Sequence, residues 1–363
     1  MYRDESKFMS HEDTNHPELG WKQQAQKSSS EDDFGPTRRQ VLGTIGLSAA
    51  GITVAAGRSG ARANEPDIYT LSGTKSDPVT ADEIQNAQHR AMESYRAENP
   101  ETSLVTSVPE PQSTPIVEFR FMIDDAGRTH QFSWATDQRT PDAAAAAAEA
   151  ERRFQKAHQE SLAQQTSGSN PDWTFVHNSS NTNCEKPYGC VTNDTSLWRL
   201  DNDSKSDEDA FGVTGYYEAV PGTSKYNSSW KYSVGDSTHD WTAGDFTPDY
   251  LLDRTPDSDQ EGSKTVNCSL TAEEDTFSWS FDIDREDVLD RSDPSEAIGY
   301  WVLDKHPKTY EDTRSMLPGS AAWLPQKSSG SYHLMDLGMM AYWHDGYGES
   351  DKTGWQWHIY HSY

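Results

Sequence analysis

Basic residues are scarce in this chain: 31 Lys and Arg stand against 59 Asp and Glu, a formal charge of −28. Such a field repels nucleic acid and anionic membrane surfaces, so no nucleic acid is expected among its partners. Cysteine is scarcer, with three in 363 residues, which excludes a disulfide-dense scaffold. HExxH, paired CxxC and GxSxG are all missing. A zinc hydrolase and a nucleophile-elbow serine hydrolase therefore have no sequence support, and the metal expected from motifs is none. Long hydrophobic runs are also lacking, apart from residues 41–57.

What is present is acidity spread along the whole chain and interleaved with Ser, Thr and Gly. Two environments accommodate it: molar salt, where the Debye length shrinks to about 3 Å, or multivalent cations held among the carboxylates. The even spread favours salt, and the composition resembles that of halophilic archaeal secreted proteins. No cofactor is expected, with calcium the weaker alternative. Its candidates are the loop 201–209 and the cluster Asp282, Asp284, Glu286 and Asp287. The loop lacks the sixth-position glycine and twelfth-position glutamate of a calcium-binding loop.

The apolar run is preceded by Arg38-Arg39 and followed by Ala61-Arg62-Ala63. This is the layout of a charged region, an apolar region and a cleavage site at Ala61 and Ala63. Residues 37–63 resemble a twin-arginine signal peptide, with Val41 where Phe is more usual. The resemblance implies the twin-arginine translocase as a transport partner, folding before export, and a secreted or surface-retained protein. A retained anchor is the alternative, since an uncharged run of about 17 residues reaches the lower limit for a span. Residues 1–36 read as a disordered leader, with a later start such as Met9 as the other reading.

Beyond the signal, Thr80 and Glu83 form a capping box, and Ile84, Ala87, Ala91 and Tyr95 recur at helical spacing, predicting a helix over 80–98. Val117, Phe119, Phe121 and Ile123, then His130, Phe132 and Trp134, alternate as a β-hairpin. Thr140-Pro141 and the alanines 143–148 start a second helix, running to about residue 165. Residues 64–167 thus read as a small α+β domain of helix-hairpin-helix order. In order and position it loosely resembles the cystatin-like propeptide or inhibitor domains of secreted enzymes. Ten of twelve Trp and thirteen of sixteen Tyr lie in 168–363. Alternating runs at 173–176, 211–217, 277–283, 299–303 and 355–360 predict an all-β antiparallel sandwich or barrel-like domain there.

Cys184 and Cys190 are the nearest pair for an extracellular disulfide; Cys268 either pairs with one of them or is buried and free. A catalytic thiol at Cys268 would need a base, with His239 and His306 candidates by type. His239-Asp240 and His344-Asp345 read as surface pairs, and His358 and His361 as facing opposite sides of a strand. No catalytic residue can be selected among so many carboxylates. Sequons at Asn178, Asn193, Asn202, Asn227 and Asn267 point to a glycosylated β domain. Trp279 and Trp301 are assigned to the core; Trp355, Trp357 and Tyr360 read as core as well, with exposure as the alternative that makes them the candidate binding aromatics. Two functions follow. The first is a secreted, salt-adapted protein whose β domain binds a surface partner or glycan, a halocin-like protein antibiotic being one form. The alternative is a secreted hydrolase made as a zymogen, with residues 64–167 as propeptide.

Overall fold

The computed structural model describes residues 68–137, 172–201, 205–305 and 311–363. Arg38, Arg39, Ala61 and Ala63 of the signal, and the predicted second helix, lie outside the described residues. Strand β1 (Ile68–Ser72) leads to helix α1 (Ala81–Glu98), then to β2 (Leu104–Pro111), β3 (Ile116–Ile123) and β4 (Thr129–Thr136). After them come β5 (Trp173–Glu185), β6 (Gly189–Leu200), β7 (Glu208–Pro221), β8 (Lys231–Asp240) and β9 (Asp253–Thr255). The chain continues through β10 (Lys264–Ala272), β11 (Asp275–Ile283), β12 (Glu286–Asp290) and β13 (Ile298–Lys305). It ends with β14 (Arg314–Met316), β15 (Gly319–Pro325), β16 (Ser331–His344) and β17 (Ser350–Ser362).

One nine-stranded sheet runs in the order β1-β3-β4-β5-β6-β7-β15-β9, with β14 beside β7. A six-stranded sheet runs β12-β13-β8-β16-β17-β2, and among the described residues β10 and β11 pair only with each other. Helix α1 begins as its sequence predicts. The Thr80 amide donates to Glu83 Oε2 at 3.0 Å and the Glu83 amide to Thr80 Oγ1 at 3.3 Å, closing the capping box. Its buried stripe is Ile84, Ala87, Gln88 and Ala91.

The predicted hairpin is β3–β4, but it does not belong to a separate small domain. β4 pairs in parallel with β5 from Thr129↔His177 to Thr136↔Cys184, and β2 pairs with β17 from Leu104↔Ser362 to Pro111↔Trp355. The strands before residue 137 and those after residue 172 thus share both sheets and one core, which runs from Leu71 and Ile84 to Trp357 and Ile359. The division at 167/168 is corrected for a physical reason. β4 buries His130, Gln131 and Ser133 as well as Phe132, so both its faces are covered, whereas a freestanding hairpin leaves its polar face wet.

Part of the interior is polar. Gln88 Nε2 donates to Ser107 O (2.8 Å) and Gln131 Oε1 (2.9 Å), and Gln131 Nε2 donates to Ser179 Oγ (3.2 Å). His177 lies between Thr129 Oγ1 (2.8 Å) and Ser107 Oγ (3.1 Å), and burial drives its pKa down to about 3. These bonds allow Ser/Asn/Thr-rich stretches of β5 and β6 to run as long buried strands. Asn178 and Asn193 are buried here, while Asn227 and Asn267 are exposed; Asn202 lies outside the described residues.

Cys184 and Cys190 face each other across the β5–β6 ladder and form a disulfide, with a Cα–Cα distance of 4.1 Å. Closing so short a loop limits the unfolded chain modestly. Cys190→Ala should cost about 2 kcal/mol in urea unfolding.

Asp236 of β8 is buried between Tyr342, which donates to it, and Tyr300, with Lys352 the nearby cation. Burial outweighs the hydrogen bond and Lys352, and pushes its pKa up to about 7. A raised carboxyl pKa stabilises the protonated fold. That contribution is complete below the unfolded value near 3.8, falls as the pH rises, and is lost above about 7. Across that window the loss is about 4 kcal/mol, the larger part of it between pH 5 and pH 8. Asp236→Asn should therefore lessen the fall in stability between about pH 6.5 and pH 8 in urea unfolding, and be more stable than the parent above pH 7. Glu185 and Glu286, also raised to about 7 chiefly by burial, add slope of the same sign, while buried His177 and His239, with pKa values of about 3, add slope of the opposite sign below about pH 6.5.

Candidate functional site

β10 and β11 are nine residues each and alternate strictly. One row comprises Val266, Cys268, Leu270 and Ala272 on β10 and Phe277, Trp279, Phe281 and Ile283 on β11, all buried or half-buried. The other row is polar and turned outward: Thr265, Asn267, Ser269 and Thr271, then Thr276, Ser278, Ser280 and Asp282. Cross-strand bonds tie that row together, Thr265 Oγ1 donating to Asp282 at 2.6 Å and Thr271 and Thr276 hydroxyls meeting at 2.9 Å. Glu273 and Glu274 make the turn, with Glu273 in the left-handed region at φ 55°.

Among the described residues no backbone ladder joins this hairpin to either sheet. It docks through side chains. Leu270, Ala272, Phe277 and Trp279 lie against Trp173, Leu200, Ala210, Ala321 and Trp323. Phe277 sits at the centre of an aromatic run, 5.3 Å from Trp173, 5.2 Å from Trp198 and 5.3 Å from Trp279. Polar ties to the body include the Thr271 amide to Asp253 (2.7 Å) and Trp279 Nε1 to the Leu317 carbonyl (2.9 Å). An amphipathic hairpin held by one face can leave as a unit without breaking a sheet. Its strand length and its alternation of apolar and polar rows match a membrane-spanning β-hairpin, which needs about 9–11 residues per strand.

The predicted site residues fall elsewhere. Trp355 and Trp357 have no exposure and belong to the core, so they cannot meet a ligand. Alternation along β17 turns them inward, and the sandwich covers that face. Tyr360, on the opposite row, is half-buried and stacks on His333 at 5.0 Å. Trp301 is buried as expected. His239 is buried rather than on the surface; its Nδ1 lies 3.0 Å from Ser320 Oγ and burial lowers its pKa to about 3. Cys268 is free, buried and bonded to Thr255, and burial raises its pKa. That is an inert thiol rather than a nucleophile.

The acidic cluster near 282–287 disperses among separate partners: Asp282 to Thr265, Asp284 to Ser263, Glu286 to Arg314, and Asp287 to the Gly262 amide. One group with metal-ligating geometry among the described residues is His333, Asp336 and His358, on the outer face of the six-stranded sheet. A depression of about 290 Å³ is lined by Arg199, Asp201, Lys205, Asp209 and Gln326. It is an ion-paired surface hollow, with Arg199 bonded to Asp201 at 3.1 Å.

No protein-family model matches the chain, and no curated protein matches it. Solved structures similar to it include the following two. A pore-forming protein shares 9% identity over 49% of this chain and 89% of its own, with a TM-score of 0.31. Clostridium perfringens delta-toxin shares 12% identity over 53% of this chain and 90% of its own, with a TM-score of 0.30. At these scores the likeness carries nothing for the function of this chain.

Proposed function

We propose that this is a secreted protein that permeabilises a target membrane, and that β10–β11 is the segment that inserts. The observation that carries the reading is the hairpin itself: an apolar row that covers the sheet, a polar row facing solvent, and no ladder to either sheet. In a bilayer the apolar row would face lipid and the Ser/Thr row would line water. One hairpin cannot close a barrel, so several copies, at least about four, must combine. The sequence-based reading of a protein antibiotic acting on a competing cell is compatible with this, and the twin-arginine signal would bring the chain out folded, with the apolar row covered. A glycan-binding aromatic face has less support. Among the described residues the exposed large hydrophobic side chains are Tyr250 and Tyr347, which do not form a stripe.

The test is dye release from phosphatidylcholine vesicles in molar salt, where the charge of the chain is screened. Release together with a crosslinkable oligomer on the vesicles is expected. Intact vesicles after prolonged exposure, in salt and at low pH alike, would count against insertion.

A further inference from the structure

We propose that His333, Asp336 and His358 bind a divalent transition metal, zinc foremost. His333 Nε2 lies 2.7 Å and His358 Nδ1 2.5 Å from Asp336 Oδ1. The three prospective donor atoms all fall within 4.8 Å of one another. Two imidazoles and a carboxylate are a borderline-soft donor set that zinc accepts; an ion would take the place of the two hydrogen bonds to Oδ1 and open them to about 3.3 Å, the separation of donors on a tetrahedral zinc, with one position left for water or a further ligand.

The backbone explains why the three meet. Asp336 and His358 are directly opposed across the β16–β17 ladder. His333, three residues before Asp336, would face the opposite side of a regular strand. A register shift between His333 and Met335 brings it to the same side. Asp245 pins that irregularity, its carboxylate accepting the His333 amide at 2.8 Å and its own amide donating to the His333 carbonyl at 2.8 Å.

Surrounding groups orient the donors as a metal site requires. Glu110 of β2 reaches His358 Nε2 at 3.6 Å, so the nitrogen opposite the metal-facing Nδ1 has a carboxylate partner. Gln356 Nε2 donates to Asp336 Oδ2 at 3.3 Å, leaving Oδ1 to the metal. Tyr360 stacks on the His333 ring. All three donors are half-buried, close enough to solvent for an ion to enter. A bound ion would join β16 to β17 and, through Glu110, strengthen the contact with β2.

The experiment is equilibrium dialysis of zinc chloride against the full chain purified without a polyhistidine tag, repeated with cobalt(II) for its visible absorption. One zinc per chain, and cobalt bands of a nitrogen–oxygen site, are expected. His358→Ala should weaken binding by about a hundredfold and Glu110→Gln by about tenfold, while His89→Ala, an exposed histidine beside Glu93, leaves it unchanged. Near-ultraviolet circular dichroism checks that each variant is folded. Affinity unchanged in the folded double variant His333→Ala/His358→Ala overturns the assignment. Absence of cobalt bands from the unmodified chain does so independently of any variant.

Discussion

Thr255→Cys, oxidised so that the introduced thiol bonds to Cys268, should release no dye from vesicles, and reduction should restore release. Cys268 lies on the buried row of β10, and its thiol meets the Thr255 side chain at the end of β9. A bond there fastens the apolar row to the sheet beneath it and leaves the polar row and the turn untouched. If the hairpin must leave the body to insert, locked protein is inactive and reduced protein is active. The unmodified chain needs the same reductant as a control, because Cys184–Cys190 is also cut. Equal leakage from locked and reduced forms would sink the insertion reading while leaving the fold intact.

Two further readouts come from the same hairpin. Trp279 lies on the apolar row of β11, so vesicles with brominated acyl chains should quench its fluorescence once the hairpin inserts, and Trp279→Phe should abolish that quenching. Ser280 is exposed in the docked state, so Ser280→Lys should leave urea unfolding nearly unchanged. If that row lines a pore, the same change should shift ion preference towards anions. A glycan-binding or purely structural hairpin would show neither response.

The elements that could be recognised from sequence were those whose partners are local. The capping box of α1, the β3–β4 alternation and the one-sided apolar row of β11 are properties of adjacent residues, and the structure contains all three. Long-range pairing was not readable. The parallel register of β4 with β5 leaves no local signature, and residues 177–183, His-Asn-Ser-Ser-Asn-Thr-Asn, look like a loop until Gln131 and Ser107 supply partners for Ser179 and His177. The His333, Asp336 and His358 group was hidden for a related reason. Its spacing of three is wrong for one strand face, and only the irregularity before Met335 corrects it. Alternation places Trp355 and Trp357 on one side of β17, which the core occupies, and Tyr360 on the other, so one reading for all three could not hold.

A chain beginning at residue 168 should fail to fold, which separates the single-core architecture from the zymogen reading. Removing the preceding segment strips β4 from β5 and β2 from β17, leaving unpaired edges on both sheets at once. It also removes Leu71, Ile84, Leu104, Val105, Phe119 and Phe121, each at most 2% exposed in the shared core. At about 2 kcal/mol for each side chain, their loss is comparable to the whole stability of a typical domain, about 5–15 kcal/mol. The 168–363 fragment is expected to aggregate and to show no cooperative urea transition, whereas the chain from residue 64 unfolds cooperatively. A protease site engineered between residues 138 and 171 gives the complementary result: after cleavage the two pieces should co-elute as one particle and separate only in denaturant. An active, cooperatively folded 168–363 fragment would restore the propeptide. The ladders β4–β5 and β2–β17 predict instead that the N-terminal segment is a permanent part of the sandwich, and that any movement towards a membrane is confined to the hairpin that no ladder holds.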